Sequence, residues 1–134
     1  MLKFHNQLCT GCHHCEVACS SFHYQEFAPT RSRIHVTVRP QTGEAKVMSC
    51  FSCPKAPCIA SCPVAAITRP ERDQPLAIDT QLCNGCGACV PACPYGAMQF
   101  DSPTAKAIAC DLCSGDPQCV RYCYPKAVEY QERV

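Results

Sequence analysis

The chain has no tryptophan and few long apolar runs. No stretch approaches the ~20 apolar residues that a membrane-spanning helix needs. The opening segment, MLKFHNQLC, lacks the apolar centre of a secretory signal. A cytoplasmic location with no direct membrane insertion is therefore expected. Lysines and arginines are scattered rather than clustered, so no nucleic-acid partner is expected, since such a partner calls for a basic face. There is no nucleotide loop, no flavin fingerprint and no organised acid–base pair. Substrate chemistry is thus expected in a partner, and this chain is expected to be no enzyme on its own. Apolar residues amount to 47%, but that figure counts the cysteines, and 12 prolines interrupt the rest. Side chains alone leave too small a core for secure folding. Bound groups are expected to supply it, and the chain without them to be largely unfolded.

What the chain has in abundance is cysteine: sixteen, in four near-copies of one pattern. They are Cys9, Cys12, Cys15, Cys19; Cys50, Cys53, Cys58, Cys62; Cys83, Cys86, Cys89, Cys93; and Cys110, Cys113, Cys119, Cys123. The first and third read C-x2-C-x2-C-x3-C, the bacterial ferredoxin spacing for 4Fe-4S ligation. Four thiolates per cubane make four 4Fe-4S clusters with none left over, which implies electron transfer. Three cysteines at three-residue steps let a tight loop wrap three corners of a cube. The fourth lies too far along to reach the same cube comfortably, and in two-cluster ferredoxins it crosses to the other cluster. In the third copy, Gly85 and Gly87 permit backbone angles and close approach that a side chain would block. Pro94 turns the chain away after the last ligand.

A disulfide scaffold and structural zinc compete with this reading. The first suits secreted chains, and triplets at three-residue spacing pair poorly except with each other. Zinc sites usually use two separated CxxC pairs rather than a third cysteine three residues on. Iron–sulfur remains favoured. Clusters also change the charge: at about −2 each they carry the formal +1 to about −7.

The copies form a repeat in which each unit reads strand, cluster loop, short helix such as 88–92, then strand. Residues 76–79 and 105–108 read as strands before the third and fourth loops, and 63–67, 94–98 and 124–128 as turns into strands. The expected fold is α+β: two ferredoxin-like pseudo-two-fold halves around four cubanes, with an inserted β-hairpin. Copies one and four (1–19 and 95–134) would form the first half, and copies two and three (50–94) the second. The insert, 20–49, alternates over 33–39, turns at 40–43 and returns over 44–48, a hairpin. Before it, residues 20–31 with Phe22, His23, Tyr24 and Phe27 read as a loop laying aromatics over a cluster to exclude water, in preference to a partner-docking surface. His13 and His14, inside the first loop, read as groups that tune potential or couple protons to electrons.

The segments CTGCHHCEVAC (9–19), CFSCPKAPCIASCP (50–63), CNGCGACVPACP (83–94) and CDLCSGDPQCVRYC (110–123) cover most of the chain. In series they resemble the four-cluster iron–sulfur subunits of molybdenum and tungsten oxidoreductases, hydrogenases and carbon monoxide dehydrogenases. The short gap at 114–118 resembles the compact soluble branch found beside tungsten aldehyde oxidoreductases. Proline does not directly follow Cys19 or Cys123, a departure that removes no ligand. The resemblance implies ligand exchange between segments. One cluster would use Cys9, Cys12, Cys15 and Cys123; a second Cys50, Cys53, Cys58 and Cys93; a third Cys83, Cys86, Cys89 and Cys62; a fourth Cys110, Cys113, Cys119 and Cys19. It also implies a relay between a large catalytic metallo-oxidoreductase subunit and a second partner: a flavoprotein subunit, a soluble ferredoxin or further copies of the chain. Alternatives are a hydrogenase- or carbon monoxide dehydrogenase-linked ferredoxin-like protein, a freely diffusing polyferredoxin and, more distantly, a cluster-assembly factor.

Overall fold

A computed structural model of the chain describes residues 2–71 and 74–131. Residues 132–134, the end of the expected first half, and Met1, its start, lie outside them. The elements run β1 (Leu2–Phe4), α1 (His14–Tyr24), β2 (Ile34–Val38), β3 (Ala45–Ser49), α2 (Pro57–Ser61), β4 (Ile67–Thr68), β5 (Ala77–Ile78), α3 (Cys89–Ala92), β6 (Gln99–Asp101), β7 (Lys106–Ile108), α4 (Gln118–Arg121) and β8 (Val128–Tyr130). This is a small α+β fold, as the sequence implies. Helices α2, α3 and α4 have only four or five residues. Isolated helices that short do not persist in water, so their packing holds them.

The strands form four antiparallel pairs: β1–β8, β2–β3, β4–β5 and β6–β7. The hairpin β2–β3 sits where alternation places it, with Val36 opposite Val47, and Gly43 N–H closes its turn onto the Arg39 carbonyl at 2.8 Å. Pairing of β1 with β8, Phe4 opposite Val128, closes the two ends of the chain on each other.

Buried side chains gather into two cores. The first joins Leu2, Val128, Ile34 and Val47 to Cys15, Cys19, Cys119 and Cys123. The second joins Ile67, Leu76 and Met98 to Cys58 and Cys89. Ala107 and Ala109 belong to the second core, so the β6–β7 hairpin packs with copies two and three although it follows residue 94. Arg31 ties the cores together. Its Nε and one terminal nitrogen donate to the two Asp101 carboxylate oxygens at 2.8 and 3.0 Å. Asp101 is 1% exposed, and Thr104 donates to it as well, at 2.6 Å. The Arg31 guanidinium also lies 3.7 Å over the Tyr24 ring.

The aromatic loop expected over 20–31 needs correction. Residues 20–24 continue α1, which runs eleven residues. Ser20, fully buried, donates to the Val17 carbonyl and accepts from Ala28 N–H, both at 3.1 Å. Those two hydrogen bonds pin the chain after α1 back onto the helix. Phe27 is 79% exposed. The strands expected to follow the turns at 63–67, 94–98 and 124–128 begin at or next to the ends of those stretches, at Ile67, Gln99 and Val128. The residues before them form turns, for the reason given below.

Candidate metal centres

Each segment bends its backbone at the same place. The residue before the second cysteine has positive φ in all four: Gly11 (73°), Ser52 (52°), Gly85 (77°) and Leu112 (59°). Two residues before the third cysteine of the first three segments, His13 (62°), Ala56 (40°) and Gly87 (75°) do the same. Left-handed backbone costs a non-glycine residue about 1–2 kcal/mol, and such strain collects where a site requires it. In segment four, Leu112, Cys113, Ser114 and Gly115 are left-handed in succession. A repeated turn follows the fourth cysteine of the last three segments. Ala65, Gly96 and Lys126 have positive φ, and each donates its N–H to the carbonyl of the cysteine three residues back. The next amide then points at sulfur: Ala66 N–H lies 3.3 Å from Cys62 Sγ and Ala97 N–H 3.4 Å from Cys93 Sγ.

These bends gather the sixteen cysteines into four groups. Cys9, Cys12, Cys15 and Cys123 line one small cavity with Val36, Val47 and Val128. Cys62, Cys83, Cys86 and Cys89 line another under Ile67 and Ala107. Cys19, Cys110, Cys113 and Cys119 line a third with His23, Arg33 and Leu112. Cys50, Cys53, Cys58 and Cys93 lie close enough to repel one another as thiolates. Every group takes three cysteines from one segment and one from another.

All sixteen cysteines are free thiols. Burial, with neighbouring carboxylate or thiolates, pushes the Cys15 thiol up to about 12 and those of Cys110 and Cys113 up to about 11. Cys119 moves further in the same direction, again by burial and then by Cys110, Cys19 and Cys113. Four thiolates gathered this closely therefore need a strongly positive centre among them, and binding one would release protons. The donor set, all sulfur and four per cavity with amides aimed at the sulfurs, fits an iron–sulfur cubane.

Cationic side chains support the loops from outside. Arg69 donates to the Cys53 carbonyl and Lys106 to that of Cys83. Of the expected tuning residues, His13 lines the cavity of Cys9, Cys12, Cys15 and Cys123, and both it and His14 have side-chain partners of their own. His13 Nδ1 lies 2.9 Å from Glu16 Oε2, and His14 meets the Tyr124 ring edge-on. Sequence reasoning missed the two groups that stand closest in charge. Glu16, 6% exposed, accepts from Val36 N–H at 2.6 Å. His23 Nδ1 lies 3.7 Å from Cys19 Sγ and 2.9 Å from the Cys19 carbonyl oxygen, while its Nε2 lies 2.9 Å from Asp111 Oδ1. Burial lowers the His23 pKa, but hydrogen bonds to Asp111 and Cys19 outweigh it and raise the value to about 9. Residues four apart on a helix face each other, a signal that becomes readable only once residues 20–24 are known to continue α1.

Residues 41–133 match the 4Fe-4S dicluster domain family, and residues 6–25 match a 4Fe-4S binding domain. The chain belongs to this family of iron–sulfur electron-transfer proteins, and its cofactors are multiple 4Fe-4S clusters. It is 35% identical to formate hydrogenlyase subunit 2 of Escherichia coli, over 90% of this chain and 76% of that one. It is 36% identical to the polyferredoxin-like subunit of an aliphatic sulfonate oxidoreductase of Pyrococcus furiosus, over 87% of this chain and 66% of that one. At 37% identity it also matches the putative oxidoreductase UacF of Escherichia coli, of which it spans 20%. Among solved structures, it superposes with a chain of the active-site complex BamBC of benzoyl coenzyme A reductase, TM-score 0.59 and 24% identity, covering 100% of this chain and 78% of that one. That likeness shows a shared fold. Among the described residues, no helix is long and apolar enough to cross a membrane.

Proposed function

We propose that this chain is a relay subunit carrying four 4Fe-4S clusters, passing electrons between a catalytic metallo-oxidoreductase subunit and a second redox partner. The observation that carries this reading is the gathering of sixteen free thiols into four groups of four. We assign the ligands accordingly: Cys9, Cys12, Cys15 and Cys123; Cys50, Cys53, Cys58 and Cys93; Cys83, Cys86, Cys89 and Cys62; Cys110, Cys113, Cys119 and Cys19. Each cluster, when bound, takes up and releases one electron at a potential set by its surroundings.

The chain's own residues would hold these centres rigid and dry. The left-handed bends aim cysteine sulfurs inward, and the amides of Ala66, Ala97, Arg33 and Leu112 stabilise charge on them. The recurring bends support two pseudo-two-fold halves, copies one with four and two with three. The Arg31–Asp101 pair would fix the halves relative to each other.

The partner we favour is a tungsten or molybdenum enzyme of the aldehyde oxidoreductase type, the expectation raised by the short gap at 114–118. A hydrogenase partner is the second reading, favoured by the 35% identity to formate hydrogenlyase subunit 2. A flavoprotein, a soluble ferredoxin or another copy of the chain would meet the opposite end. The experiment is to isolate the native complex without oxygen, identify its subunits and assay its metals. Tungsten or molybdenum supports the first reading and nickel the second. A lone chain that reduces several unrelated enzymes equally well overturns both. We place the relay in the cytoplasm, where oxygen-labile centres are assembled; its recovery in another compartment on fractionation would overturn that placement.

A further inference from the structure

Among the described residues, one ionisable side chain stands at hydrogen-bond distance from a cysteine sulfur. It is His23, on the last turn of α1, one helical turn beyond Cys19. Its side chain is 9% exposed. Nδ1 faces the Cys19 carbonyl oxygen at 2.9 Å and the Cys19 sulfur at 3.7 Å. Neither can donate once Cys19 is a metal ligand, so the proton of that contact sits on Nδ1. Nε2 faces the carboxylate of Asp111 at 2.9 Å. Asp111 in turn receives Arg33 at 3.1 Å and the Cys113 amide at 2.9 Å. The ring is thus fixed at both ends, with its Nδ1–H shared between the Cys19 carbonyl oxygen and the sulfur. Arg33 N–H approaches the same sulfur at 3.3 Å. The cavity of Cys9, Cys12, Cys15 and Cys123 has the opposite neighbour, the buried carboxylate of Glu16 beside Cys15.

We propose that His23 is a positioning residue that raises the reduction potential of the centre held by Cys19, Cys110, Cys113 and Cys119, by donating Nδ1–H to the Cys19 sulfur. An electron added at this centre, supplied by the partner reductase, spreads negative charge onto the sulfurs. A donated hydrogen bond stabilises that charge more in the reduced state than in the oxidised one, so reduction becomes easier. His23 takes no part in the electron count and gives up no proton in this step. It sets where along the relay an electron rests. The inference rests on the ligand sets proposed above.

The test is an anoxic redox titration of the cluster-loaded chain followed by electron paramagnetic resonance, with iron assayed on every sample. In His23→Leu, one of the reduction waves moves to lower potential and the others stay in place. In His23→Asn, whose side-chain amide nitrogen stands where Nδ1 stands, that wave returns towards its original position. Iron per chain is unchanged in both. An unmoved set of waves with full iron overturns the role of His23 and leaves the ligand reading intact. A wild-type chain that holds no iron–sulfur clusters overturns the ligand reading, and this inference with it. If His23→Leu fails to load, His23→Asn decides alone. A wave displaced upwards, or every wave displaced together, refutes a local hydrogen bond to one sulfur.

Discussion

Replacing Gly85 and Gly87 in turn by alanine separates two effects that the sequence presents as one. Both glycines lie in the third segment, at φ of 77° and 75°. A Cβ at Gly87 would meet nothing within 4 Å, whereas one at Gly85 would stand 2.4 Å from the Ala105 carbonyl oxygen. Equivalent positions in other segments show what the backbone tolerates. Ser52 and Leu112 occupy the Gly85 position, and His13 and Ala56 the Gly87 position, all with positive φ. Left-handed strain alone, about 1–2 kcal/mol, is therefore survivable at either place. The collision with Ala105 adds an overpacking cost of about 1–3 kcal/mol at Gly85 only. It falls on backbone, where the loop between β6 and β7 closes over this segment and Lys106 reaches the Cys83 carbonyl. Cluster loss on heating is irreversible, so the measure is the half-life of visible cluster absorbance at one fixed temperature without oxygen. Both variants should decay faster than the parent. Gly85→Ala should decay about 5- to 140-fold faster than Gly87→Ala, since each ~1.4 kcal/mol is a factor of ten. Equal decay, or faster decay of Gly87→Ala, would refute the close approach to Ala105.

Anoxically prepared chain should contain about sixteen iron and about sixteen acid-labile sulfide, by elemental and colorimetric assay; zinc instead, or about eight iron, contradicts four cubanes. Cys62→Ala should remove about four iron, and adding Cys86→Ala no more, whereas adding Cys53→Ala should remove about four further. Equal additional losses from the two double variants would defeat the crossed ligand sets. Asp101→Asn breaks the buried pair with Arg31 and should shorten the cluster half-life roughly tenfold or more. Arg31 holds the Asp101 carboxyl below its ordinary range, so the pair's contribution is fully present above the ordinary carboxylate pKa of about 4 and lost as pH falls through the depressed value. The ratio of parent to variant half-lives should accordingly stay flat between about pH 5 and 8; a ratio that falls steadily across that window would show that the carboxyl is not held ionised.

The cysteine spacing carried the cofactor class because a tight loop wraps three corners of a cube with residues close in sequence, and local patterns are legible in one chain. The hairpin β2–β3 was legible for the same reason: its alternation and its Gly43 turn lie within a few residues of each other. Pairing of β1 with β8 was not. Leu2–Phe4 is three residues long and finds its partner at the far end of the chain, and neither strand is long enough to show a period. The turns into the short strands after the cysteines were legible as turns, but not the left-handed residue in each that aims an amide at sulfur. Ala65 and Lys126 take the left-handed geometry there without being glycine, so sequence offers no sign of it.

The histidines show most clearly how proximity along the chain differs from proximity in space. His13 and His14 sit among the first ligands in sequence, and the structure sends one to Glu16 and the other to Tyr124. On a helix, adjacent residues diverge by roughly 100° while residues four apart share a face. His23 is therefore nearer to the Cys19 sulfur than either histidine that flanks a cysteine directly. That geometry was hidden because residues 20–24 read as a loop: Ser, Ser, Phe, His and Tyr are indifferent helix formers. What overrides their preference is packing. Ser20 bonds at both ends of its hydroxyl, α1 packs against α4, and Asp111 catches the imidazole from the fourth segment. The last turn of α1 and the hydrogen bond to sulfur thus depend on each other. Replacing Asp111 with alanine should loosen both together, raising amide exchange over 20–24 at the same time as it weakens the His23 contact. Unchanged protection over 20–24 would show that the helix extension stands on packing against α4 alone.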